Sequence, residues 1–166
     1  MSERLNIRRL ATGVPGLDSL LGGGLPEFSF NLIAGTPGSG KTTLAHQIMF
    51  SLATPNSRAL FFTILGEPAL KMLRYQQQFT FFDINKINKS IRFVNLSADL
   101  LEGNFDSVLS RIAEEVKDYA PSFVFVDSFR SVVQSAKQED QGASELQGFV
   151  QELGMQMTSW QATTFL

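Results

Sequence analysis

The sequence predicts an α/β domain built on a mostly parallel β-sheet with helices on both faces. Three observations predict it. Short apolar runs alternate with stretches of helical periodicity along the chain. The clearest run, residues 122–127 (SFVFVD), is continuously apolar up to its final acid, as a strand buried on both faces must be. Residues 35–42 (GTPGSGKT) then match G-x-x-x-x-G-K-[ST], a pattern that belongs between a strand and a helix.

The chain has 166 residues, which reads as a single domain spanning 1–166. A chain of this size buries roughly 70% of its unfolded surface, enough for a real core. Apolar residues make up 43% and charged residues 18%, as in globular domains and unlike disordered ones. The formal net charge of −2 gives no global attraction to nucleic acid or to acidic lipid. With no cysteine and one histidine, disulfide frameworks, thiolate metal sites and multi-imidazole sites are excluded. Arg4, Arg8 and Arg9 precede no apolar stretch of signal-peptide length, and no run approaches the ~18 apolar residues of a membrane span. The expected location is the cytoplasm, with no membrane partner.

Taken in order, residues 28–34 form an apolar run ending at glycine, hence a first core strand. Residues 41–52 place Leu44, Ile48, Met49 and Leu52 at helical spacing. Residues 59–65 (ALFFTIL) read as a second buried strand, and 68–79 as a helix with Pro68 in its first turn. A third strand is expected at 91–95. Val108, Ile112, Val116 and Tyr119 share one face of a helix over 106–119. Pro121 opens the strand that ends at Asp127, a helix follows over 145–157, and 162–166 begins another strand. The sequence stops inside this apolar stretch, so the C-terminal part of the core is expected to lie beyond it or to be supplied by another chain. Phenylalanine is abundant, at 15 residues. Phe79, Phe81 and Phe82 suit either core or a subunit interface, core being the plainer assignment.

The glycine-rich loop carries the chemistry. A loop that wraps a phosphate chain turns its backbone N–H groups inward, and glycine permits both the dihedrals and the close approach. The helix that follows aims its positive end at the same anion. Lys41 supplies a mobile charge for the β- and γ-phosphates, and the Thr42 hydroxyl is placed to ligate Mg²⁺. The expected ligands are therefore ATP and Mg²⁺.

Such a site needs an acid at the end of another buried strand. Asp127 fits as the metal's carboxylate; it also fits as a cap for the next helix, a role Ser128 could equally fill. Water must also be oriented. Glu67, just after the second strand, is the candidate, although an acid beside Pro68 is favoured by the helix dipole alone. His46 is assigned no role.

Residues 12–26 (TGVPGLDSLLGGGLP) resemble the opening motif of KaiC-like and RadA-like ATPases of the RecA superfamily, and FVFVDS resembles that family's second acidic motif. The resemblance covers essentially the whole chain. It implies a RecA-like P-loop NTPase fold in three layers, ATP hydrolysis, and a homo-oligomeric ring, commonly a hexamer, with ATP between neighbours. Carried over by motif, Gly35, Thr36, Pro37, Gly38, Ser39, Gly40, Lys41, Thr42 and Thr43 grip the phosphates. Asp127 and Thr42 hold magnesium, and Glu67 and Lys41 serve catalysis. The opening segment 13–26 turns the chain before the first core strand. KaiC proteins usually show two adjacent glutamates where this chain has Gly66 and Glu67, so slow hydrolysis is implied. A single domain gives no support for autokinase activity.

Three functions fit: a regulatory KaiC-like ATPase, a DNA-dependent recombinase or repair ATPase, and a nucleotide-dependent scaffold with little hydrolysis. The first is favoured. No basic stripe interleaved with aromatics supports the second, and only the missing glutamate supports the third.

Overall fold

The computed structural model of the chain describes residues 7–63, 69–101, 105–127 and 142–166. A two-stranded antiparallel ribbon, β1 (Arg9–Leu10) with β2 (Leu25–Pro26), encloses the one-turn helix α1 (Leu17–Leu20). The core strands are β3 (Phe30–Asn31), β4 (Ala59–Thr63), β5 (Ile91–Asn95), β6 (Phe123–Asp127) and β7 (Thr163–Phe165). They form one parallel sheet in the order β3-β7-β6-β4-β5. The helices are α2 (Lys41–Leu52), α3 (Ala69–Gln76), α4 (Ser97–Leu101), α5 (Phe105–Tyr119) and α6 (Gly142–Ser159), with a 3₁₀ turn at Ile84–Lys86. No helix among the described residues is long and apolar enough to cross a membrane.

Strand periodicity sorts the core into two halves. Leu60, Phe62, Val124 and Val126 point to one face, where Val108, Ile112 and Val116 of α5 and Phe149, Leu153 and Met157 of α6 cover them. Alternate residues Ala59, Phe61, Phe123 and Phe125 point the other way, against Ala45, Ile48 and Met49 of α2. Helix α5 shows why the sequence folds so. Its buried residues recur every three or four positions, Asp106 lies in its first turn and Lys117 in its last, as the helix dipole prefers. It ends where Ala120 turns to a positive φ of 45° and Pro121 forbids another turn.

The register of the sheet sets four phenylalanines side by side. Phe93, Phe61, Phe125 and Phe165 pair directly across β5, β4, β6 and β7. Their ring centroids follow at 5.4, 5.8 and 4.3 Å. Much of the phenylalanine excess is thus one aromatic row under α2. Phe81 and Phe82 pack beside it against Phe50, as core rather than as a free surface.

Several expectations change. The first core strand is shorter than 28–34, because Phe28 takes a left-handed φ of 60° and gives its N–H to the Thr163 hydroxyl. Backbone pairing with β7 nevertheless continues beyond the strand, from Ile33 N–H to the Leu166 carbonyl. Coverage on both faces holds for β4 and β6 but not for β3. Phe30 and Leu32 are 44% and 67% exposed, because β3 is an edge strand and contributes nothing to the cluster under α5 and α6. Helix α3 ends at Gln76, short of 79. The β1–β2 ribbon, α1 and α4 were not expected.

Candidate functional site

The loop between β3 and α2 is the site's floor. Gly40 caps α2 in the left-handed region, at φ 87°, where a side chain would be strained. No side chain caps α2, so the positive end of a three-turn helix faces the loop without a competing side-chain acceptor. Thr36, Pro37, Gly38 and Ser39 are exposed, and a turn bond from Ser39 N–H to the Thr36 carbonyl (3.2 Å) shapes them. The Lys41 ammonium reaches back across the loop, donating to the carbonyls of Gly35 (3.0 Å) and Thr36 (2.9 Å). This places the one cation of the motif over the loop's concavity.

Asp127 is the last residue of β6, and the fold brings it to α2. The Thr42 hydroxyl donates to its carboxylate at 2.6 Å across 85 residues of chain. A hydroxyl and a carboxylate at the carboxyl edge of a parallel sheet are hard oxygen donors at the position where such folds bind ligands. They fit Mg²⁺, which is usually held by one or two such groups together with substrate phosphates. Thr43 is half-buried in the first turn of α2. Glu67 and Ser128 lie outside the described residues.

Between the loop and the sheet edge is a cavity of about 310 Å³, with Lys41 and Asp127 at its polar rim and Phe61, Phe125 and Phe165 among its apolar walls. Three rings of the aromatic row thus form part of its apolar wall. Thr63 is a neighbour the sequence reading passed over. It ends β4, is 8% exposed, and stands in register beside Asp127. Its only signal was being the one polar residue inside the apolar run 59–65.

The opening motif has a defined job. Asp18 accepts from both the N–H (2.8 Å) and the hydroxyl (2.7 Å) of buried Thr12, and these bonds hold its carboxyl below the usual aspartate range. The loop so closed rests on α2. Gly13, at φ 70°, lies where a Cβ would fall 2.1 Å from the Ser51 hydroxyl, and its carbonyl accepts from Gln47 (3.3 Å). The motif thus braces the helix that begins at the phosphate loop.

A strand–loop–helix phosphate cradle joined to a carboxylate at the end of a third parallel strand defines a P-loop nucleotide-binding domain of the RecA superfamily. More narrowly, the chain belongs to the KaiC ATPase family, whose model ("ATPase: KaiC") matches residues 10–166. It is 30% identical over 153 residues to circadian clock protein KaiC3 of Synechocystis sp., covering 87% of this chain and 30% of that protein. It is 29% identical over 128 residues to DNA repair protein RadA of Listeria monocytogenes, covering 77% of this chain and 24% of that protein. The crystal structure of a KaiC-like protein from Pyrococcus horikoshii OT3 superposes with a TM-score of 0.79 at 28% identity, over 97% of this chain and 70% of that one. The chain thus spans less than a third of the length of these two curated relatives.

Proposed function

We propose that the chain binds ATP as its magnesium complex and hydrolyses it slowly, as the ATPase unit of a regulatory protein. The observation that carries this reading is the Thr42–Asp127 contact at 2.6 Å, because it unites the loop's metal-binding hydroxyl with the strand-end acid. In it, the backbone of residues 35–43 and the Lys41 ammonium hold the phosphates. Thr42 and Asp127 hold magnesium, which when bound neutralises charge developing on the phosphate oxygens. Glu67 is assigned the attacking water. The regulatory part of the proposal is supported by the clock-protein name of the KaiC3 relative. Assembly into a homo-oligomeric ring and a cytoplasmic location complete the proposal for the longer protein.

The test is calorimetric titration of Mg·ATP into the wild type and Lys41→Ala, with turnover and column mass followed on the same samples. Magnesium-dependent binding lost in the variant supports the reading. Wild-type protein that is folded and binds no nucleotide overturns it. Turnover that rises on adding DNA would move the function towards repair.

A further inference from the structure

The cavity between the phosphate loop and the sheet is larger and more apolar than a phosphate site requires. It encloses about 310 Å³. Its walls include Leu32 from the segment after β3, Ala45 of α2, and Phe61, Phe125 and Phe165 of the aromatic row. Of these side chains Leu32 is exposed, at 67%, and the other four are buried, so the cavity reaches from the surface into the core. Phosphates do not belong against such walls, because an anion that leaves water there loses its hydration with nothing in return. Small apolar molecules do, and an apolar cavity of about 150 Å³ already holds a benzene ring.

The rim says what head group such a molecule carries. Lys41 directs two of its three N–H donors at the carbonyls of Gly35 and Thr36, at 3.0 and 2.9 Å, and keeps one. Asp127 accepts from the Thr42 hydroxyl on Oδ2 at 2.6 Å, and its Oδ1 has no partner among the described residues. Both residues line the cavity. A carboxylate entering there meets Asp127 and an amine meets Lys41, each a like charge beside apolar walls. A hydroxyl both donates and accepts, so it suits the remaining donor and the remaining acceptor together.

We infer that this cavity is a binding site for a small, neutral aromatic alcohol, a phenol, with its ring among the phenylalanines and its hydroxyl at Lys41 and Asp127. A ring is the body that aromatic walls pack best, edge to face or offset. The binding itself does not depend on the nucleotide reading above. Its consequence does: a phenol there engages the Lys41 donor and the Asp127 oxygen that Mg·ATP also needs. The two ligands therefore weaken one another by the same factor.

The test is calorimetric titration of para-cresol into the full chain, with toluene, para-toluate and para-methylbenzylamine as comparison probes. Para-cresol binds at one site with a Kd below about 1 mM, as a well-fitted molecule of its size can. Toluene, which keeps the body and lacks the hydroxyl, binds about tenfold more weakly, and the two charged probes more weakly still. Ala45→Leu fills the cavity from α2, and Leu32→Asp sets a charge in its exposed wall; each weakens para-cresol by at least about tenfold. Leu32 is exposed, so its variant decides the matter if Ala45→Leu does not fold. Saturating para-cresol lowers Mg·ATP affinity by about fivefold or more.

The inference is overturned if para-cresol does not bind, if toluene binds as tightly, or if neither variant weakens binding. Para-cresol bound by a protein that takes no Mg·ATP overturns the nucleotide reading and leaves the site standing. Binding of both ligands with no effect on one another overturns the placement of the hydroxyl at Lys41 and Asp127.

Discussion

The two faces of the sheet solve the same burial problem in different ways. Beneath α5 and α6 the core is largely aliphatic, with Leu60, Val94, Val124 and Val126 meeting Val108, Ile112, Leu153 and Met157. Beneath α2 it is aromatic, a row of four phenylalanines overlain by His46, with the phosphate loop at its end. The first face can be understood from area alone. The second carries an imidazole with no hydrogen-bond partner among the described residues, a strand-end acid and a glycine-rich loop, none of which packing requires. Stability and chemistry are thus divided between the faces, and that division can be attacked from either side.

The largest effect should come from Lys41→Ala. Among the described residues its ammonium bonds to two carbonyls of its own loop, so its removal leaves both cores intact. Mg·ATP affinity should fall at least about 1,000-fold, or about 4 kcal/mol, with an unchanged denaturant midpoint. A comparable fall in stability would show that the loop and the core are one unit. On the opposite face, Ile112→Ala empties a fully buried position and should cost about 3 kcal/mol in urea unfolding, with nucleotide affinity unchanged. Lost affinity in a folded Ile112→Ala protein would break the division.

The same division explains what could be read without coordinates. The alternating runs gave the α/β class, and α2 and β5 begin and end where periodicity and apolar runs placed them. The placement of Lys41 and Thr42 at the start of α2 and of Asp127 at the end of β6 was legible because a short motif encodes the loop and a terminal acid marks a buried strand. The aromatic row was not, since it exists only through the register of four strands and no local pattern encodes register. The β1–β2 ribbon has two residues per strand, too few to show a period. His46 was assigned no role because a lone histidine in a helix is read as packing or surface, and with Ala45, Ile48, Met49 and Phe50 also buried, α2 offers no clear polar face against which it stands out.

Acid should separate the two faces next. Burial is the main cause holding the His46 pKa near 4, below its ordinary 6.5, and among the described residues the groups named at the ring are Phe61, Phe93 and Gln76, none of them titratable. The folded state therefore refuses a proton that the unfolded chain accepts. Its stability is full above pH 6.5 and falls as pH drops towards 4, by up to about 3 kcal/mol in all. His46→Leu should flatten unfolding free energy across this window. Asp18, held low by its bonds from Thr12, loses its contribution only at lower pH, and His46→Leu should leave that part of the curve unchanged. A His46→Leu protein as acid-sensitive as the wild type between pH 6.5 and 4 would mean that other groups set the response.

The smallest effect tests where the aromatic face begins. Phe28 stands at the entrance to β3 with φ 60°, largely exposed, and its N–H is engaged by the Thr163 hydroxyl. A bulky side chain in the left-handed region is strained by about 1 to 2 kcal/mol, and glycine there is not, although glycine gives up more freedom on folding. Phe28→Gly should then raise stability by about 0.5 to 1 kcal/mol and leave Mg·ATP affinity unchanged. A loss of stability instead would show that the Phe28 ring contributes more than its backbone costs. The strand leading into the phosphate loop would then depend on aromatic packing from its first residue, and the aromatic face would extend to the sheet's edge.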